Sequence, residues 1–359
     1  MTLNIILATD DLMNSPRENE DLIMKRETIV LWEKDEYTYP CAGEFIPNIT
    51  AYLHEDDEKR PAFLVVPGGG YAIVSPTEGE IVAKRFYDAG YQAFVLTYTT
   101  NMFQIQPLEK QPLRDISRAV RCIRKHAEHM KIIENQIVCC VFSAGAHLVG
   151  SLAVHYQDSD LMDELWDTVS NRPDAVILSY PVITSGEKAH RGSFDLLLGQ
   201  DAKQEQLEWA SLENHVTENT PPAFLWQTWN DETVPVDNSI LFAQACREKG
   251  VPCEIHLFME GRHGLSLANE DWASNNLGEN SLYTMVQQWQ TLKTLYQQNP
   301  KAIPELFIPA AQAKSFLSFV AEWTNAMAET QQSDEQKPDA SARQWPDLAL
   351  AWLGKIFHF

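Results

Sequence analysis

The chain has 359 residues, with 50 acidic against 28 basic side chains and a formal charge of -22 at pH 7. A surface this negative repels phosphate backbones and anionic lipid, so neither nucleic acid nor a membrane is expected as a partner, and the length suits one large α/β domain with insertions. No window reaches the apolar length of a membrane helix, the N-terminus MTLNIILATDD lacks a basic leader region, and the six cysteines (Cys41, Cys122, Cys139, Cys140, Cys246, Cys253) lack metal-site spacing, so a cytoplasmic protein with reduced thiols is expected.

Residues 1–23 are polar and irregular, an N-terminal arm with a short strand, and 24–359 are expected to form the main domain. Glu27–Trp32 and Ile49–His54 read as strands. Ala62–Val66 is a continuous apolar run, the pattern of a strand buried on both faces of a parallel sheet, and it ends in Pro67-Gly68-Gly69-Gly70-Tyr71. Three glycines in a row make either a flexible turn or a set of bare N–H groups aimed at an anion. No lysine follows at P-loop spacing and G-x-G-x-x-G is not met, which favours the oxyanion of an acyl-transfer intermediate over a nucleotide phosphate. Glu78–Ala89 then reads as a helix and Gln92–Tyr98 as a strand. Leu113–Met130 carries a helical stripe (Leu113, Ile116, Ala119, Val120, Ile123, Ala127) with basic residues on the opposite face.

The window Gln136–Ser151, QIVCCVFSAGAHLVGS, is where the chain's chemistry concentrates. The run Ile137–Phe142 stops at Ser143, small residues Ala144, Gly145 and Ala146 follow, and a helical pattern resumes at Leu148. Strand, tight turn and helix with serine at the turn is the pattern that holds a hydroxyl exposed above a sheet, usually written G-x-S-x-G. Gly145 supplies the second glycine, whereas Val141 stands at the first. The alternative is a serine that merely caps a helix.

Farther on, Asp174–Leu178 reads as a strand, residues 184–220 as a polar, cap-like excursion with a short helix Ala202–Trp209, Phe224–Thr228 as a strand, Val236–Lys249 as a helix and Glu254–Phe258 as a strand. Strands alternating with helices indicate a mostly parallel central sheet. Asp231 follows one late strand and His263 the next, on the edge where Ser143 also falls. Such a set is chemically sufficient: an imidazole deprotonates the hydroxyl, and a buried carboxylate fixes and stabilises the imidazole. Asn230 and Glu232 flank Asp231, and Asp237 lies a turn later. His147 is expected to pack beneath the turn, and His126 and His129 to lie on a helix surface without further ligands.

The stretches VVPGGGY (65–71), RDISRAVRCIR (114–124), FSAGAHL (142–148), ILSYPVIT (177–184), SFDLLLG (193–199), TPPAFLWQTWNDETVPVDNS (220–239) and EGRHGLSLA (260–268) together resemble the acetylxylan-esterase-like branch of the α/β-hydrolases. The resemblance implies an α/β-hydrolase fold and a carboxylic ester hydrolase without cofactor or metal. It also implies Ser143 as nucleophile, His263 as general base, Asp231 as its partner, and an oxyanion hole from the N–H groups of Gly69, Gly70 and Ala144. Ala146 stands where a further glycine is common.

The chain departs from that branch by a helical insertion, about 280–341, before the last helix 342–357. Leu282, Met285, Val286, Trp289, Leu292 and Leu295 form one apolar stripe and Phe316, Leu317, Val320, Trp323 and Met327 another, with a polar loop Glu329–Ala340 after them. The pair is expected beside the active-site mouth, in a subunit interface of a homo-oligomer, or as surface decoration. The substrate expected is a small neutral ester such as an acetylated sugar. The competing readings are a serine peptidase of the prolyl-oligopeptidase type and a non-catalytic binding protein on a hydrolase scaffold.

Overall fold

The computed structural model describes residues 5–6, 25–39, 45–103, 106–162, 166–278, 285–330 and 336–358. The strands are β1 (Ile5–Ile6), β2 (Lys25–Val30), β3 (Asn48–Leu53), β4 (Arg60–Val66), β5 (Gln92–Thr97), β6 (Ile132–Phe142), β7 (Ala175–Ser179), β8 (Ala223–Thr228) and β9 (Cys253–Phe258). Among the described residues they form one sheet in the order β1-β2-β3-β5-β4-β6-β7-β8-β9. The first three pair antiparallel, and from β5 onward every neighbour is parallel. This is the α/β-hydrolase architecture, with β1 belonging to the expected arm; the remainder of the arm and Cys41 lie outside the described residues.

The apolar runs read as strands because both faces are covered. Leu64, Val66, Cys139, Val141, Val176, Leu178 and Leu225 face the helices α2 (Gln111–Lys125), α3 (Ser143–His155) and α6 (Asp237–Lys249). Phe63, Val65, Cys140, Phe142, Ile177, Phe224 and Trp226 face α1 (Glu80–Tyr87) and the last helix, Trp345–Phe357. Neighbours in sequence alternate between these two cores, as a period of two requires.

Helix α2 and strand β6 differ in extent from the sequence reading. The helix expected to reach Met130 ends at Lys125, because the chain folds back through the Ile132 N–H to Ala127 O bond (2.7 Å) and lengthens β6 to Ile132. The basic face of α2 is only partly solvated: Arg114 and Lys125 are exposed, but Arg118, Arg121 and Arg124 are buried. Their guanidinium groups donate to Leu31 O (3.1 Å), Leu161 O (2.7 Å) and Ser170 O (2.6 Å), fastening loops that a helical wheel cannot see. The start of the same helix is tied down by Asp115, which accepts from Trp32 Nε1, Thr99 N, Thr99 Oγ1 and Gln111 Nε2; burial nonetheless pushes its carboxyl up to about 6.

The excursion 184–220 holds two helices where patterning shows one, α4 (Arg191–Leu198) and α5 (Gln204–Ala210). Phe194 and Ala210 share a small core there with Val182 and Val234. After β9 come α7 (Glu270–Ala273), α8 (Val286–Gln298), α9 (Ile308–Ala311), α10 (Phe316–Thr330) and α11 (Trp345–Phe357). Helices α8 to α10 build their own core from Leu292, Leu295, Phe307, Phe319, Trp323 and Ala326. Phe319 rather than Leu317 carries the buried face of α10, and Leu317 is 63% exposed. This core packs against Ile73, Met102 and Phe103 of the main domain, and Gln287 bonds to Tyr98 O, Thr100 N and Thr100 Oγ1. Leu282 lies outside the described residues, and of the polar loop expected at 329–340 the described part is fixed by the Asp339 N–H to Ala268 O bond (2.9 Å).

Candidate active site

Parallel register brings five strand ends to one edge. Val66 pairs with Val141, Phe142 with Ser179, Ser179 with Trp226 and Thr228 with Phe258, so the loops that follow all emerge together. Ser143 leaves β6 with φ +52, a left-handed value costly for a residue bearing Cβ. The turn forms although Val141 occupies the usual glycine position, because that valine is fully buried in the core beneath and does not enter the turn. Gly145 makes the close approach instead: a Cβ there would stand 2.5 Å from Val66 O and 2.6 Å from Pro67 O.

Ser143 Oγ lies 2.8 Å from His263 Nε2, and His263 Nδ1 lies 2.7 Å from Asp231 Oδ2. The Thr233 and Val234 N–H groups, each at 2.9 Å, donate to Asp231 Oδ1. Burial alone would raise the Asp231 carboxyl, but the hydrogen bond and charge of His263 and these two N–H groups hold it below the ordinary aspartate range. An ionised carboxylate accepts from Nδ1–H, which leaves Nε2 as the proton acceptor facing the serine hydroxyl.

The glycine loop abuts this turn. A Cβ on Gly68 would sit 2.8 Å from Ser143 Cβ, so only glycine lets the two loops meet. Gly69, Gly70 and Tyr71 all have positive φ (+115, +65 and +64). The Ala72 and Ile73 N–H groups close the turn onto Gly69 O at 3.0 and 3.1 Å. The N–H groups of Gly69, Gly70 and Ala144 have no acceptor among the described residues. Tyr71 is anchored by His147: Nε2–H donates to Ala210 O (2.9 Å), so Nδ1 accepts the Tyr71 hydroxyl (2.9 Å). Burial presses the basicity of His147 down to about 4, and it lies under the turn as a neutral strut.

The remaining candidates separate cleanly. Asn230 Oδ1 accepts from Gly261 N–H (2.9 Å), holding the acid and histidine loops side by side; Glu232 is exposed and Asp237 begins α6. His126 is half-buried with Nδ1 on Cys122 O (2.9 Å), and His129 is exposed. Among the described residues no cluster of three or more His, Cys, Asp or Glu is placed to hold a metal ion.

Patterning missed three residues at the site. Tyr180 follows β7 with φ +37, and its ring meets His263 edge-on at 4.9 Å. Glu78 is buried below it and bonded to Tyr180 Oη and Gly68 N. His190, before α4, bonds to Ser193 Oγ (2.8 Å); burial and then His263 depress its basicity while Asp231 opposes them, which puts it within electrostatic reach of the site. The string SPTEGE gives no local sign that its first glutamate faces inward, and the other two owe their place to sheet order and the excursion.

Residues 50–246 match the family model BD-FAE. The chain is 50% identical over 251 residues to endo-1,4-beta-xylanase B of Butyrivibrio fibrisolvens, covering 70% of this chain and 40% of that protein. It is 27% identical over 249 residues to an acetylxylan esterase of Xylanibacter ruminicola, covering 68% of this chain and 48% of that one. It thus spans less than half the length of either curated relative. Among solved structures, an acetyl ester-xyloside bifunctional hydrolase from Caldicellulosiruptor lactoaceticus superposes with a TM-score of 0.63 at 37% identity, over 70% of this chain and 93% of that one.

Proposed function

This chain belongs to the BD-FAE family, and on that premise we propose that it is a serine esterase that removes short acyl groups, chiefly acetyl, from small neutral substrates such as acetylated sugars. The observation that carries the reading is the Ser143 Oγ, His263 Nε2, Asp231 Oδ2 relay with spacings of 2.8 and 2.7 Å. His263 takes the hydroxyl proton as Oγ attacks the ester carbonyl carbon. The oxyanion that forms accepts from the N–H groups of Gly69, Gly70 and Ala144, and Asp231 stabilises the imidazolium. His263 then returns the proton to the departing sugar oxygen, and the acyl-enzyme on Ser143 is hydrolysed by a water that His263 activates in turn.

Names of relatives that act on xylan or its acetyl esters support a carbohydrate substrate. Cleavage of a glycosidic bond calls for two carboxylates flanking an open cleft. Here Asp231 is engaged with His263, which favours acyl transfer over xylanase chemistry. Ser143→Ala, assayed on p-nitrophenyl acetate and on acetylated xylo-oligosaccharides, is expected to lower kcat by on the order of 10⁴ to 10⁶-fold. Retention of activity in that variant refutes the reading. Faster turnover of acetate than of butyrate or octanoate esters is expected, and turnover of aminoacyl anilides in preference to esters would point to the peptidase alternative.

A further inference from the structure

Glu78 ends the short turn Pro76–Glu78 that leaves the glycine loop, and it is 3% exposed. Burying a carboxylate is expensive unless its oxygens are well used. Both are. Gly68 N–H donates to Oε2 at 2.7 Å, and Tyr180 Oη–H donates to Oε1 at 2.7 Å. Ser266 N–H donates to Tyr180 Oη at 3.0 Å, which directs the phenolic proton toward Glu78. Gly68 N–H can only donate, and the Tyr180 hydroxyl is aimed to donate to the other oxygen, an arrangement that suits an ionised carboxylate.

Each of these contacts leads to a different part of the reacting group. Gly68 packs against Ser143 and opens the loop that carries the proposed oxyanion donors. Tyr180 presents its ring edge to the His263 imidazole at 4.9 Å and 68°. Ser266 lies in the loop that carries His263 and is tied by its hydroxyl to Thr77 O (2.6 Å) and by its carbonyl to Trp345 Nε1 (2.7 Å). One carboxylate thus joins the nucleophile turn, the oxyanion loop and the base loop.

We propose that Glu78 is a positioning residue for hydrolysis: it fixes the glycine loop against Ser143 and, through Tyr180 and Ser266, the His263 loop, and its negative charge favours the imidazolium formed during acyl transfer. The proposal rests on the serine-esterase reading above. The charged and titratable groups facing His263 are Asp231 on Nδ1, Tyr180 against the ring, Glu78 beyond Tyr180, and His190. Those facing Glu78 are Tyr180, Tyr98, Cys140 and His263. Burial raises the Glu78 carboxyl, and the bonds from Tyr180 and Gly68 together with the charge of His263 oppose that rise.

The test is the pH profile of p-nitrophenyl acetate hydrolysis by the full chain and its Ser143→Ala, Glu78→Gln, Glu78→Asp and Tyr180→Phe variants. Glu78→Gln keeps the shape and removes the charge. It is expected to lower kcat by about 10 to 100-fold with KM changed by less than about threefold, and to move the acid limb of kcat/KM to lower pH. Glu78→Asp keeps the charge and shortens the reach, so its kcat falls while the acid limb stays. Tyr180→Phe keeps the ring against His263 and cuts the link, and its kcat also falls. Wild-type kcat and acid limb in Glu78→Gln, with Ser143→Ala inactive, overturn the proposal. So does a loss of kcat in Glu78→Gln without movement of the acid limb, since a purely structural role would produce it. If Glu78→Gln does not fold, wild-type kcat in both Glu78→Asp and Tyr180→Phe overturns it. Full activity in Ser143→Ala would instead remove the reading on which the proposal stands.

Discussion

The neutral strut beneath the serine turn makes this fold sensitive to mild acid by an amount that can be worked out. His147 is fully buried, bonds to Tyr71 Oη and Ala210 O, and has its basicity lowered from the ordinary 6.5 to about 4, chiefly by burial. Protonation would place a charge in the core and turn Nδ1 into a donor, so the buried Tyr71 hydroxyl would have to stop donating to it and accept instead. The unfolded chain therefore binds a proton that the folded chain refuses. The sign follows: the folded value lies below the unfolded one, so stability is fully present above the ordinary value and is lost as pH falls from there toward the lowered one. With one group and these two values, the loss between pH 7.5 and pH 5 is about 2 kcal/mol, approaching about 3 kcal/mol by pH 4. Urea unfolding across that range measures the total, to which other groups add. The His147 share is isolated by His147→Gln, whose amide nitrogen can still donate to Ala210 O but no longer meets Tyr71. That variant is expected to be about 1–2 kcal/mol less stable at pH 7.5, with a pH dependence shallower by the amount above. An equally steep dependence in the variant refutes the reasoning.

Two further substitutions follow from the packing. In Gly145→Ala the methyl would meet two backbone carbonyls, Val66 O and Pro67 O, that no rotamer change can move. It is expected to cost roughly 1–3 kcal/mol in urea unfolding and to reduce esterase kcat, because Pro67 leads into the glycine loop; neutral behaviour in both assays would count against that close contact. Trp323 is 5% exposed between Phe307 and Phe319, with ring centroids 5.1 and 5.5 Å away. Trp323→Ala is expected to cost about 3–5 kcal/mol in the core of α8 to α10, read as early protease cleavage within 285–330. Because that core touches Ile73 in the turn closed onto Gly69, kcat should fall as well; wild-type kcat in a variant cleaved early would show that the helices do not support the glycine loop.

The helices α8 to α10 also bear on the three placements their patterning allows. They lie against Ile73, Met102 and Phe103, and Gln287 is bonded into the strand end at Tyr98 and Thr100. The described part of the segment is thus joined to the glycine loop through Ile73 and to the chain leaving β5 through Gln287.

Much of this architecture is written locally. Apolar runs buried on both faces read as parallel strands because each residue in them, whichever way it points, meets a helix; the glycine triplet and Ser143 read as turns because their backbone conformations are open to few sequences. Asp231 and His263 were legible because a parallel sheet delivers successive loops to one edge, so chain order alone implies convergence. Long-range partners were not legible. Glu78 and Tyr180 are 102 positions apart, Arg118 reaches Leu31 O across 87, and no periodicity records such pairs. A helical wheel puts the arginines of α2 on a polar face but does not show what covers them, and Arg118, Arg121 and Arg124 are buried. Val141 looked like a defect in the turn because the motif describes spacing, while the strand places that side chain in the core below. Local sequence determined which backbone turns exist, since sterics act between neighbours; the fold decided which buried charges and carbonyls meet, since only packing brings distant chain into hydrogen-bonding range.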